Sequence, residues 1–415
     1  MNHIAVWLIA AIAILLILIR PKAIPEAVWA GSAALLLVLF RLLSPSDALS
    51  AVGRGADVYL FLTGMMILAE LARREGFFDW VAAIAVGAAH GSRTRLFALV
   101  YLVGIVVTTF LSNDATAVVL TPAVFASVKK ARATPLPYLL ICAFIANAAS
   151  FVLPISNPAN LVVYASKMPP LSTWLRLFAL PSLLSIAATY LVLRWLSRAD
   201  LEGKMETDVR RPELSTAGHR AAYGIAGTAF ALILASAFSI DLGLPTFLAA
   251  LAATAVVSFE DRHAPLGIVK DISWSVLPLV AGLFVLVEGV NRAGALTLSG
   301  NALRQAAQAG PLAGALASAF GVALLSNCAN NLPVGLIAGG AIHTTKVPEL
   351  LRNALLIGVD LGPNLSVTGS LATILWLVAL RREGEDVSFW KFLKYGVLVM
   401  PPALALAIFA LMLTS

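Results

Sequence analysis

Charge is scarce in this sequence: Asp, Glu, Lys and Arg together make 12% of 415 residues, against 60% hydrophobic residues, and the mean hydropathy is +0.90. Ordinary soluble domains carry about 25% charged residues, so a soluble enzyme or binding module is excluded. Cysteine is nearly absent. The two, Cys142 and Cys328, lie far apart in apolar segments and cannot form a disulfide framework. Histidine is equally thin, with five residues at 3, 90, 219, 263 and 343 in terminal or loop sequence, which excludes a clustered metal site. A phosphate-binding loop is missing too: Gly203-Lys204 is followed by Met205, with no glycine-rich lead. The chain is therefore not expected to hydrolyse ATP, to be an enzyme or to need a cofactor. Its net charge of +7 is no sign of nucleic acid, because basic excess in a membrane protein belongs to cytoplasmic loops.

What the chain has instead is long apolar runs, at residues 4–19, 27–40, 175–193, 221–238 and 395–413. Runs of about 17 to 25 residues suffice for a helix to cross a ~30 Å hydrocarbon core. The first lacks a basic lead and a small-residue cleavage site, and is expected to be retained as a helix. A polytopic, all-α membrane protein in the lipid bilayer follows.

The sequence also repeats itself. At a shift of 218, Gly64 meets Gly282, Glu70 meets Glu288, Arg74 meets Arg292 and Gly76 meets Gly294; at 214, Leu111-Ser112-Asn113-Asp114-Ala115 meets Leu325-Ser326-Asn327-Cys328-Ala329. Residues 172–176 (STWLR) and 388–392 (SFWKF) each lead into a long apolar helix. Ordered landmarks at nearly constant shift mark a duplication, with a first repeat at 1–196, a polar cytoplasmic linker at 197–220 and a second repeat at 221–415. Each half is expected to hold three spans, a re-entrant helical hairpin, a broken helix and a final span. Five crossings per half make the repeats inverted, with about ten transmembrane helices, two hairpins and two broken helices in all. Placing the Arg20–Lys22 loop in the cytoplasm puts most of the 29 Lys and Arg inside, as the positive-inside rule requires, and both termini outside. Residues 78–90 read as an interfacial helix, with an eleventh span as the alternative.

Four polar clusters interrupt the apolar sequence. Two are hairpin tips, Ser112 to Asp114 and Ser326 to Asn331. Two are helix breaks, Ser156 to Asn160 and Asn364 to Ser370. Pro154 and Pro158 forbid continuous helix through the first break, and non-helical backbone at membrane depth is tolerated only where it is buried or lines a cavity. Duplicated transporters build their sites from such breaks. Ser and Asn also cap helices anywhere, which is the competing account of any one of them. An intramembrane carboxylate is costly and low-dielectric surroundings favour its neutral form, so Asp114, without a nearby basic residue, is the best proton carrier; Asp360 is the second. Glu70 and Glu288 each have an arginine four residues on, a favourable helical pair, and read as structural. Cys328 is either a soft ligand for a thiophilic solute or a small buried apolar residue.

The motifs FLSNDATAVVLTP (110–122), PISNPANLVV (154–163), SNCANNLPVGL (326–336) and VDLGPNLSVTGSLATILWL (359–377) closely resemble the ArsB family of arsenical pump membrane proteins, in the ion transporter superfamily. The resemblance covers nearly the whole chain. It implies export of arsenite and antimonite across the bacterial inner membrane in exchange for protons, by elevator-like movement of the hairpin domain, with an ArsA-type ATPase as partner in some hosts. It places the cargo among Ser112, Asn113, Asn157, Asn160, Ser326, Asn327, Cys328, Asn364, Thr368, Gly369 and Ser370. Relatives in the superfamily imply the alternatives: a sodium/proton or dicarboxylate antiporter. A passive metalloid channel is a further one.

Overall fold

The computed structural model describes residues 2–165, 168–206, 213–258 and 264–415. Residues 207–212 of the expected linker lie outside the described residues, as do Lys167, Arg262 and His263. The architecture is helical throughout, with one isolated bridge, Ser92 to Lys204, and no strand among the described residues.

The helices of the first half are α1 (His3–Ile19), α2 (Glu26–Leu39), α3 (Pro45–Arg54), α4 (Ala56–Arg74), α5 (Phe77–Ala88), α6 (Arg93–Phe110), α7 (Asn113–Ala115), α8 (Thr121–Lys130), α9 (Leu136–Ala148), α10 (Pro158–Tyr164) and α11 (Leu171–Leu196). Those of the second are α12 (Thr216–Ala237), α13 (Gly243–Val257), α14 (Ala264–Asp271), α15 (Val276–Val290), α16 (Leu296–Gln308), α17 (Pro311–Ala329), α18 (Asn331–Thr344), α19 (Glu349–Leu361), α20 (Leu371–Arg382) and α21 (Phe389–Thr414). Six continuous helices among the described residues are long and apolar enough to cross a membrane, and the bent pair α3–α4 makes a seventh. Other expected spans are shorter apolar helices, α1, α2, α9 and α13, because turns and breaks divide the apolar sequence. The helix expected at residues 78–90 is α5, and its 12 residues reach only about 18 Å, too short for an eleventh span.

The two halves interlock. α4 packs on α13 while α15 packs on α2, so each half supplies one helix to the other's layer. α4 and α15 run antiparallel, as their ends show: Arg54, just before α4, reaches Glu288 near the end of α15, and Arg74 at the end of α4 reaches Asp271, just before α15. The close crossings depend on repeat-related glycines. A Cβ on Gly64 would lie 2.8 Å from the Thr246 backbone, and one on Gly282 would lie 2.8 Å from that of Ala30.

The glutamates serve these junctions. Glu70 takes Arg73 at 2.6 and 2.8 Å and Arg74 at 3.2 Å, and Arg74 goes on to Asp271 at 2.8 Å. Glu288 takes Arg54 and, at 2.6 Å, Arg292, which goes on to Asp47 at 2.8 Å. Each cluster joins α4 or α15 to a helix of the opposite half. The hydrogen bond from Arg74 holds the solvent-exposed Asp271 carboxyl below its ordinary value. A carboxylate depressed in the folded state adds stability above its unfolded pKa, about 3.9, and loses it as pH falls through the lower folded value. Thermal melts in detergent should therefore show Asp271→Asn less stable than wild type at neutral pH, with the difference shrinking below about pH 4; a difference that grows on acidification would contradict this linkage.

A second layer holds the hairpins. α5 packs against both α6 and α8, and α16 against both α17 and α18, so each chain turns back beside the helix it left. α11 and α21 pack on one another, and this layer meets the first mainly where α10 touches α4 and α18 touches α15.

Candidate functional site

Each of the four interruptions ends in a polar residue that caps the next helix. Ser112 Oγ accepts from Ala115 N–H at 3.2 Å, Asn157 Oδ1 from Ala159 at 3.0 Å, Asn330 Oδ1 from Leu332 at 3.3 Å and Ser370 Oγ from Thr373 at 3.1 Å. Such caps satisfy N–H groups that a helix start leaves open. The second hairpin therefore turns at Asn330, inside the expected tip Ser326 to Asn331 but four residues beyond the Ser326 that the LSN letters pair with Ser112. Ser112 and Asn330 are 218 residues apart, the same shift as the paired glycines. Asn330 pays for the turn with φ of 69°, a region costly for a side chain other than glycine.

The four interruptions meet at one cavity with about 320 Å³ of empty space, part of it open to solvent. Asn113 and Asp114 come from the first hairpin, Asn157 from the first break, Asn331 from the second hairpin and Ser370 from the second break; Leu62 of α4 and Val276 and Val280 of α15 form the facing apolar wall. The site thus lies between the two layers. An adjoining cavity of about 430 Å³ at α1 and α15 has Asn330 as its one polar lining residue and offers little to a polar solute.

Within the site, Asp114 is partly buried and its carboxylate has no hydrogen-bond or ionic partner among the described residues. The Asn331 side-chain amide also lacks a partner among them, although the residue's backbone N–H donates to Gly369 O at 2.9 Å. Asn113 Oδ1 accepts from Asp114 N–H at 2.9 Å. A carboxylate in the first turn of a helix is held favourably by the partial positive charge there. Unpartnered carboxamide and carboxylate groups thus face one small apolar-walled space.

The other candidates build the frame around it. Asn160 is fully buried and spends its amide on the carbonyls of Ser150, Leu153 and Pro154. Asn327 ties the second hairpin to the second break: its Nδ2 donates to Gly362 O at 2.9 Å and its Oδ1 accepts from Ser366 N–H and Oγ–H at 2.9 and 2.7 Å. Thr368 donates to Asn327 O, and Ser326 to Val322 O. In the first half, Ser156 donates to Thr109 O at 3.1 Å in the same sense. Asn364 bonds Asn147 and Phe144 O. Cys328 is exposed on the last turn of α17, outside the cavity lining, so the small buried residue expected there is corrected: that turn buries Ser326 and sends the thiol outward. Asp360 is buried completely, its Oδ1 accepting from Asn157 Nδ2 at 2.9 Å and its Oδ2 without a partner among the described residues.

Asn147, Asn331 and Thr373 escape the sequence reading as individual residues. Asn331 is the last residue of the expected tip Ser326 to Asn331, while Asn147 lies in an unbroken apolar run and Thr373 just past the second break. The repeat shift is the one signal that reaches Asn147, since it stands 213 residues before Asp360, as Asn157 stands before Ser370.

A family model described as CitMHS, citrate transporter, matches residues 13–359. An arsenical pump membrane protein of Yersinia enterocolitica is 27% identical over 371 residues, covering 84% of both chains. One of Escherichia coli K12 is 25% identical over 427 residues, covering 98% of this chain and 97% of that one. Among solved structures, the Alcanivorax borkumensis YdaH transporter, described as having an unusual topology, aligns with a TM-score of 0.59 at 17% identity over 91% of this chain and 89% of that chain, a likeness of fold. With family match, helical membrane architecture and shared fold together, the chain belongs to the CitMHS family, as a multi-pass membrane transporter of the ArsB type.

Proposed function

We propose that this transporter exports trivalent metalloids, arsenite and antimonite as As(OH)3 and Sb(OH)3, from the bacterial cytoplasm in exchange for protons. The observation that carries the reading is the convergence of all four polar interruptions on one cavity beside the unpartnered Asp114 carboxylate. The names of the curated relatives supply the cargo class. A neutral trihydroxide needs donors and acceptors in place of its hydration shell, and the side-chain amides of Asn113 and Asn331 provide them. An uncompensated cationic pocket is what an anion would need. Here a citrate-like anion would meet the Asp114 carboxylate, and like charges brought together are penalised, so the carboxylate-transport alternative is disfavoured.

In this mechanism the hairpins and broken helices move as one body against α4 and α15, carrying the cavity from one membrane face to the other. The two repeats, at 1–196 and 221–415, are inverted about that interface, and the linker lies in the cytoplasm. Asp114 takes a proton from outside as cargo leaves and gives it up inside as cargo loads. Because As(OH)3 is uncharged, exchange for one proton moves net charge and responds to membrane potential as well as pH.

The test is arsenite uptake into everted vesicles free of any ArsA-type ATPase. Uptake should saturate and collapse on adding a proton ionophore. Uptake indifferent to the ionophore removes the antiporter reading, and flux without saturation favours a channel.

A further inference from the structure

Asn157 and Ser370 are equivalent: each caps the helix after a break, and each lines the cavity. Each also makes one hydrogen bond to the opposite half. Asn157 Nδ2 donates to Asp360 Oδ1 at 2.9 Å, across 203 residues of chain. Ser370 Oγ donates to Asn147 Oδ1 at 3.4 Å, across 223 residues, and bonds Thr373 Oγ1 at 2.8 Å. Asn147 and Asp360 are themselves repeat-related, each ten residues before its own half's cap. Both are fully buried on the helix preceding a break.

We propose that Asn147 and Asp360 are paired positioning residues, each reaching across to orient the cavity-lining cap of the opposite half's broken helix. A hydrogen-bonding cap that is free to rotate cannot present a fixed donor or acceptor, and preorganisation of this kind lowers the cost of binding. The two arms differ in chemistry. Asp360 offers only an acceptor to Asn157, whereas Asn147 also donates, from Nδ2, to Asn364 Oδ1 at 3.0 Å. Asn147 thereby ties Ser370 to the second break's own floor. Each cap closes on its own helix, but the bond that fixes its orientation comes from the other half, so the two breaks set the cavity's polar lining together. The inference rests on the reading that this cavity holds the cargo.

Two measurements test it. In the first, arsenite binding to purified protein at fixed pH is followed through double-mutant cycles, Asn157→Ala with Asp360→Ala and Ser370→Ala with Asn147→Ala, with thermal melts to establish folding. Each truncation should weaken binding about tenfold, the second change in each pair should add little, and Asp360→Asn, whose amide oxygen still accepts from Asn157, should restore most of the affinity. Additive cycles, or truncations that bind as wild type, overturn the proposal. In the second, which uses no cargo, maleimide alkylation of Ala372→Cys is timed in a Cys328→Ser background. Removing either brace should free the break and speed labelling about fivefold or more, and unchanged rates overturn the proposal. If wild type binds no arsenite, the cargo reading fails and the alkylation rates alone decide the braces.

Discussion

Asp114→Asn is expected to cut ionophore-sensitive arsenite uptake into everted vesicles by about tenfold or more, while arsenite-for-arsenite exchange across the same vesicles continues. The substitution keeps the side chain's size and polarity and removes the titrating group that, among the described residues, faces the cavity without a partner. On the proposed exchange, net export returns the cargo-free site across the membrane loaded with a proton, so a site that cannot exchange a proton no longer draws on the pH gradient. Exchange of cargo for cargo needs no such step. The pair of results separates coupling from binding, because a variant that merely distorted the tip would lose both. Full proton-coupled flux in Asp114→Asn would sink the assignment and direct attention to Asp360, whose Oδ2 also lacks a partner among the described residues.

Membrane class, helical architecture and the four interruptions are legible in the sequence, because each is written in local physics: apolar length, prolines that no helix absorbs, polar residues that lipid rejects. Register inside the second hairpin is not. The letters LSN recur at Ser326, yet the turn falls at Asn330, since capping needs only an oxygen at the right backbone position and either Ser or Asn supplies it. Matching letters therefore pairs Ser112 with Ser326, whereas matching helix starts pairs it with Asn330. The braces are hidden for a similar reason. Asp360 has no carboxylate counterpart by letter, but its positional counterpart is the carboxamide of Asn147, and neither contact leaves a periodic trace, as both join residues more than 200 positions apart. Glu70 and Glu288 are legible as helical ion pairs but not as junctions, since Asp271 and Asp47 enter from the opposite half.

The interlocking itself predicts the second large effect. Gly64 sits where α4 crosses α13, and Gly282 where α15 crosses α2. At both, the atoms that a new Cβ meets at 2.8 Å include backbone, of Thr246 in one case and Ala30 in the other, and backbone cannot rotate away as a side-chain tip can. Overpacking of this kind costs about 1–3 kcal/mol even for small additions. Gly64→Leu and Gly282→Leu, which add a branched chain as well as a Cβ, should each lower the melting temperature in detergent by several degrees and reduce the folded yield. Gly227→Leu in α12, where a Cβ meets nothing within 4 Å, should change neither. The two damaging substitutions should resemble each other in size, because the crossings are related by the repeat and hold the same layer together from opposite halves. If Gly282→Leu melts as wild type, the α15–α2 crossing is not the tight junction described, and the wall that faces the cavity would lose its claim to rigidity.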